Sequence, residues 1–248
     1  MEILITNDDG WGSRGIRTLV RIMTQFGHVT VVAPDGPRSA QSSAITVGGP
    51  MTLRRLADDP QASRDVDIYL TNGTPADCVK LALNVLYKGD KQRVDFLVSG
   101  INHGSNASVN LIYSGTMGAC FTAAEHGIPA IGFSINTHES DADFSFMEPY
   151  VAELTRHILD DYIPYGVCYN INAPVGPIRG IRWTRQCKGH WEREIEQRTD
   201  VAGNTAYWLV GEFVNHEPDA DDTDQWAIDN AYISVQPCTI DMTAYKQL

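Results

Sequence analysis

The run Ile3-Leu4-Ile5 is apolar at every position and breaks almost at once into Asn7-Asp8-Asp9-Gly10. Continuous apolar character over a short run suits a strand buried on both faces, the situation of a parallel sheet covered by helices on each side. In open sheets of that kind ligands bind beyond the carboxyl ends of the strands, so Asp8 and Asp9 stand where chemistry is usually done. Two adjacent carboxylates repel one another unless a cation or a shared proton neutralises them. A hard divalent cation with oxygen ligands is the expected neutraliser. A simple turn, or a cap for the next helix, is the plainer alternative for the same two residues.

The following residues complete a βαβ unit. Ile16, Leu19, Val20, Met23 and Phe26 recur at helical spacing, Gly27 ends the run, and His28-Val29-Thr30-Val31-Val32-Ala33-Pro34 reads as a second strand. The adjacent aspartates argue against a dinucleotide such as NAD at this turn, and so against a dehydrogenase or glycosyltransferase. The second strand opens into Asp35-Gly36-Pro37-Arg38-Ser39-Ala40-Gln41-Ser42-Ser43, whose hydroxyls and arginine are candidates for touching a metal or a phosphate. Residues 45–70 read as irregular strands, with Arg54, Arg55, Asp58 and Asp59 on a solvated surface. Asp67–Thr71 is a third strand-like run, and Thr74-Pro75 starts a helix in which Asp77 complements the helix dipole.

Asp95–Ser99 is a further buried strand. It opens into Gly100-Ile101-Asn102-His103-Gly104-Ser105-Asn106-Ala107-Ser108, where asparagine oxygens offer hard ligands and small residues admit an anion to the backbone. Ser114-Gly115-Thr116 then precedes an alanine-rich helix, and a helix N-terminus is a phosphate site or, more plainly, only an N-cap. A strand at 129–134, a helix near 147–160 and a strand at 168–172 follow. From about residue 175 the character changes. Short β-type runs at 180–186, 206–214 and 231–236 flank a polar stretch at 188–204, which suggests a smaller β-rich subdomain or arm. Asp219–Asp224 lacks the glycine and glutamate of a calcium loop and reads as solvated. His28 and His126 read as structural, whereas His103 is a candidate substrate contact. No Gly-x-Ser-x-Gly elbow supports a serine hydrolase.

Composition narrows the classes further. The chain has 248 residues, 43% of them hydrophobic, and a net charge of −12 that disfavours attraction of a nucleic-acid duplex. No apolar run approaches the roughly 18 residues of a membrane span, and no secretory signal is expected, since the N-terminus leads directly into an apolar strand. Cys78, Cys120, Cys168, Cys187 and Cys238 are odd in number and scattered, without a CxxC pair. That pattern fits neither a disulfide framework nor a zinc site, and it suggests a reducing cytoplasm.

Taken together, the strand-end loops resemble the SurE (stationary-phase survival protein E) family of metal-dependent nucleotidases. The likeness is carried by Asn7-Asp8-Asp9-Gly10, Ala33-Pro34 with Arg38-Ser39, Gly73-Thr74-Pro75 with Asp77-Cys78, Ser99-Gly100-Ile101-Asn102 and Ser114-Gly115-Thr116. Thr223-Asp224 and Tyr232-Ile233-Ser234 continue it into the last third. The resemblance implies that Asp8, Asp9, Ser39 and Asn102 hold one divalent metal per subunit, Mg²⁺ or Mn²⁺. It implies that Ser42, Asn106, Ser114, Gly115 and Thr116 line the phosphate pocket. Three positions depart from the family's habit: Ala40 and Ser108 stand where glycine is usual, and Ala76 where a hydroxyl is common.

The expected fold is α/β, a Rossmann-like three-layer sandwich with a smaller β-rich C-terminal arm. The expected division is a catalytic core over 1–175 and an extension over 176–248 that shapes the site and builds a homodimer or homotetramer. The expected activity is hydrolysis of nucleoside monophosphates, 5′- and as a further class 3′-nucleotides, to nucleoside and phosphate. Direct attack by water with Asp8 or Asp9 as base is the expected mechanism, an aspartyl-phosphate intermediate the alternative. The rival function is a nucleotide- or phosphate-binding module without turnover.

Overall fold

The computed structural model describes residues 1–139 and 141–247. The chain opens with β1 (Glu2–Thr6), α1 (Arg14–Met23), β2 (His28–Pro34), β3 (Arg54–Arg55), β4 (Val66–Thr71) and α2 (Pro75–Leu81). It continues with β5 (Phe96–His103), α3 (Asn110–Tyr113), α4 (Gly115–Ala124), β6 (Ala130–Ile135), α5 (Glu148–Asp160) and β7 (Val167–Ala173). The last third contributes β8 (Gly180–Trp183), β9 (Gly189–Glu192), β10 (Ile195–Thr199), β11 (Thr205–Leu209), β12 (Glu212–Asn215), α6 (Asp224–Asp229) and β13 (Tyr232–Thr239).

Among the described residues nine strands form one sheet in the order β3-β4-β2-β1-β5-β6-β7-β13-β8. The six strands from β4 to β7 run parallel, and their order is that of a doubly wound sheet. The order reverses between β1 and β5, so the crevice between their carboxyl ends is the switch point where such sheets bind ligands.

The alternation of side chains along β1 divides the core. Ile3 and Ile5 face a layer with Ile16, Leu19 and Met23 of α1 and Val151, Leu154 and Ile158 of α5. Leu4 faces the opposite layer, with Val79 and Leu83 from the α2 region and Met117, Cys120 and Ala123 of α4. α2 starts cleanly because Thr74 and Asp77 form a reciprocal capping box ahead of Pro75. Asp77 does more than complement the dipole: it also accepts hydrogen bonds from the amide (3.1 Å) and hydroxyl (2.6 Å) of Thr46. Burial pushes the Asp77 carboxyl up, but these donors outweigh it and hold it below the usual range. α4 is buried on nearly every side, and its small residues let it lie close to the sheet.

Several elements differ from the sequence reading, each through a tertiary contact. β5 runs on through His103, with an irregular register between Ser99 and Asn102 that re-aims Asn102. Within 45–65 only Arg54 and Arg55 join a strand. Asp59 is not solvated; it accepts from Trp11 Nε1 at 2.8 Å and pairs with Arg17 at 3.1 Å. The polar stretch at 188–204 contains β9 and β10, and Asp219–Asp224 ends in two fully buried residues, Thr223 and Asp224, that start α6. Beyond residue 175, β13 pairs antiparallel with β7 and β8 parallel with β13, extending the main sheet. The hairpins β9/β12 and β10/β11 form separate two-stranded sheets.

Candidate functional site

A cleft of about 540 Å³ opens at the carboxyl ends of β1 and β5. Asp8, Ser39, Asn102, Asn106 and Ser114 line it, joined by His103, Asn136 and His138. Trp191, Leu209, Phe213 and Gln225 of the last third close one wall.

Asp8 is buried, and its Oδ1 accepts a 2.6 Å hydrogen bond from the Thr116 hydroxyl. Burial raises its pKa to about 6; the Thr116 bond opposes the rise and the charge of Asp9 adds to it. Asp9 is also raised, first by burial, against the opposing amide of His103, which donates to its Oδ2 at 3.2 Å. The turn that carries both carboxylates needs Gly10, whose φ is +84° and whose α-carbon has no room for a side chain against Gly36. Gly10, Gly12 and Gly15 fall at the spacing of a dinucleotide fingerprint. The two carboxylates ahead of them occupy the strand end that a pyrophosphate would approach.

Asn102 donates through Nδ2 to the carbonyl of Gly104 at 2.8 Å, which leaves its amide oxygen as the free acceptor. Ser39 is exposed at the cleft, on a loop whose Arg38 amide is tied to the Asp8 carbonyl at 2.6 Å. A buried and a half-buried carboxylate that repel one another, with a free amide oxygen and a hydroxyl, are a hard, all-oxygen donor set of charge −2. That set fits a hard divalent cation. Among the described residues no group of three His, Cys, Asp or Glu gathers as an alternative metal cage.

α4 begins against Asp8. A side chain at Gly115 would come within 2.8 Å of the Asp8 β-carbon, so glycine is what allows the helix end to approach. Ser114 caps α4 by accepting from the amide of Met117 at 3.0 Å. The amides of Gly115 and Thr116 lie in the first turn, where no carbonyl of their own helix can reach them. Such a helix end is suited to an anion.

The other expected phosphate contacts are placed unequally. Asn106 and Ser114 line the cleft, whereas Ser42, Gly115 and Thr116 are not among its lining residues. Thr116 directs its hydroxyl at Asp8, and Ser42 bonds through its amide to the Tyr113 carbonyl at 3.0 Å. Arg38 is committed within its own surroundings, to Asp35 and to the carbonyls of Pro37 and Asn72. His103 lines the cleft, while its ring packs edge-on against Phe144 and its Nε2 is buried without a partner. Ala40 and Ser108, where the family usually has glycine, both have positive φ, +57° and +52°. Ser108 is held there by its amide to Asp224 (2.8 Å) and its hydroxyl to the Cys187 carbonyl (2.9 Å).

Sequence reasoning missed the wall formed by Trp191, Leu209, Phe213 and Gln225, which no local spacing marks. Trp191 packs edge-on against Phe213 and donates to Asn110 at 2.9 Å. Among the described residues no helix is long and apolar enough to cross a membrane.

The family model described as Survival protein SurE matches residues 3–193. The chain is 46% identical to a Flavobacterium psychrophilum protein named 5′-nucleotidase SurE, over 99% of this chain and 94% of that one. It is 45% identical to the 5′-nucleotidase SurE of Cytophaga hutchinsonii, over 99% and 93%. A crystal structure of the SurE protein of Aquifex aeolicus superposes with a TM-score of 0.83 at 32% identity, covering 100% of this chain and 97% of that one.

Proposed function

The chain belongs to the SurE family, and from that premise we propose that it is a 5′-nucleotidase, a phosphomonoesterase that hydrolyses nucleoside monophosphates to nucleoside and phosphate. The observation that carries this reading is the adjacent pair of carboxylates at the switch point, Asp8 buried and Asp9 half-buried, with the N-terminus of α4 abutting Asp8. Nucleotides with a 3′-phosphate are a further substrate class.

Asp8, Asp9, Ser39 and Asn102 hold one divalent cation, Mg²⁺ or Mn²⁺. When bound, it supplies Lewis-acid polarisation of the phosphoryl group and neutralises developing charge. The chain's own residues do the rest. Thr116 orients Asp8 and the His103 amide orients Asp9. One of the two carboxylates accepts the proton of the attacking water. The amides of Gly115 and Thr116, with Ser114 and Asn106, hold phosphoryl oxygens, while Ser42 acts by fixing the loop above α4. Trp191, Phe213 and Leu209 offer an apolar wall to the nucleoside.

The division into a catalytic core over 1–175 and a shaping, oligomerising extension over 176–248 belongs to the same reading. An isolated two-stranded hairpin is marginal in water. The hairpin β10/β11 exposes Ile195 and Tyr207 at 63% and 66%, which supports a homodimer or homotetramer built through this arm. Five buried free cysteines suit a reducing cytoplasm.

Phosphate release from a panel of nucleoside monophosphates, with Mn²⁺, with Mg²⁺ and with chelator, tests the activity. Release that requires metal and is lost in Asp9→Asn supports it. Nucleotide binding without release under any metal would move the reading to a binding module. A trapped phospho-enzyme would replace direct water attack by an aspartyl-phosphate.

A further inference from the structure

β5 leaves the sheet after His103, so the main chain at Asn106 has no strand to pair with, yet Asn106 is only 6% exposed. Buried peptide groups need partners, and here two side chains supply them. Asn172 Oδ1 accepts from the Asn106 amide at 2.7 Å, and Asn170 Nδ2 donates to the Asn106 carbonyl at 2.9 Å. Both asparagines belong to β7, two residues apart, so they share a face of the sheet. On the side-chain end, Asn106 Nδ2 meets Ser134 Oγ of β6 at 2.7 Å.

The orientation of the two clamping amides follows from chemistry. A peptide N–H only donates and a carbonyl only accepts, so Asn172 must present oxygen and Asn170 nitrogen. The leftover atoms then satisfy each other, Asn172 Nδ2 donating to Asn170 Oδ1 at 3.0 Å. Asn170 Nδ2 donates also to Gln236 Oε1 of β13 at 3.1 Å. Asn170, Asn172 and Ser134 are fully buried. Asparagine is depleted in strands, and buried amides cost stability unless they are bonded. A fully connected polar network at this depth rigidifies what it touches, and what it touches is the loop at the cleft.

We infer that Asn170 and Asn172 are positioning residues for the reaction, clamping both peptide groups of Asn106 while Ser134 fixes its side chain toward the phosphoryl group. The inference rests on the proposal that Asn106 meets the substrate phosphate. Displacing a positioned group by about 1 Å costs on the order of 10²-fold in rate, so Asn172→Ala and Ser134→Ala should each lower kcat/KM by at least about tenfold.

The test is a pair of double-mutant cycles on the full-length chain, Asn172→Ala and Ser134→Ala each with Asn106→Ala. The readouts are kcat, KM and the inhibition constant of inorganic phosphate. The expected result is a raised KM and phosphate constant in each single variant, and less than about twofold further change in the Asn106→Ala background. A purely structural role would lower kcat with the folded fraction and leave KM and the phosphate constant unmoved. Full additivity with Asn106→Ala would overturn the inference, as would an Asn106→Ala variant with unchanged kinetics. Should Asn172→Ala fail to fold, Ser134→Ala, which removes one hydroxyl, carries the test. A wild-type chain that releases no phosphate would refute the nucleotidase reading alone. Calorimetric binding of inorganic phosphate would then decide the clamp, retained affinity in the variants overturning it and weakened affinity supporting it.

Discussion

Replacing Asp8 by asparagine should stabilise the metal-free chain at alkaline pH while removing its activity. The Asp8 carboxyl rises from an ordinary 3.8 to about 6, chiefly because it is buried, so the folded state holds its proton more tightly than the unfolded state. Stability contributed by such a group is fully present below the unfolded value and lost as pH rises through the folded one. At 1.36 kcal/mol per pH unit the burial of the ionised form costs up to about 3 kcal/mol at pH 8 and about 1 kcal/mol at pH 4.5. The substituted amide would keep an acceptor for Thr116 and carry no charge, but its new N–H groups need partners and take back part of the gain. That offset is the same at both pH values. The advantage of Asp8→Asn over wild type should therefore grow by about 2 kcal/mol between pH 4.5 and pH 8, or on the order of 4–8 °C in Tm for a chain of this size. Urea denaturation in chelator at the two pH values measures it. Saturating Mg²⁺ or Mn²⁺ should then stabilise wild type and not the variant. An advantage that does not change with pH, or metal stabilisation of the variant equal to that of wild type, would refute the argument that a buried, unneutralised charge sits at this strand end.

Two further substitutions test the loops around the carboxylates. Ala40 has a φ of +57°, where a β-carbon is strained, so Ala40→Gly should raise stability by up to about 1 kcal/mol, read as a shift in urea midpoint without a change in slope. A β-carbon at Gly118 would enter the carbonyl of Ser42. Gly118→Ala should therefore push the 39–43 loop off α4, costing about 1–3 kcal/mol and lowering metal-dependent phosphate release more than tenfold; unchanged turnover would show that the loop's seat on α4 does not matter to the site.

The parts of this protein that the sequence alone determined are those set by neighbours a few residues away. A run of three apolar residues ending in two aspartates announces a buried strand and its functional end, and Thr74-Pro75 with Asp77 announces a helix start, because strand period, capping and turn chemistry are local. The order of strand-end loops likewise identified the family and with it the doubly wound sheet. Burial and partnership were decided only by the fold. Asp224 reads as the end of a solvated acidic run, yet it is fully buried and binds the amide of Ser108, 116 residues away. Asn170 and Asn172 break the apolar run of β7, a signal that was visible, but what they hold lies 64 to 66 residues upstream. Thr116 reads from its sequence as a phosphate contact, and only the packing of α4 commits its hydroxyl to Asp8, 108 residues away, leaving its amide for that role. Trp191, Phe213 and Gln225 reach the cleft only because the chain returns from its last third to the switch point. Local sequence sets what each residue offers; which offer is taken up depends on long-range closure of the sheet, which no spacing along the chain records.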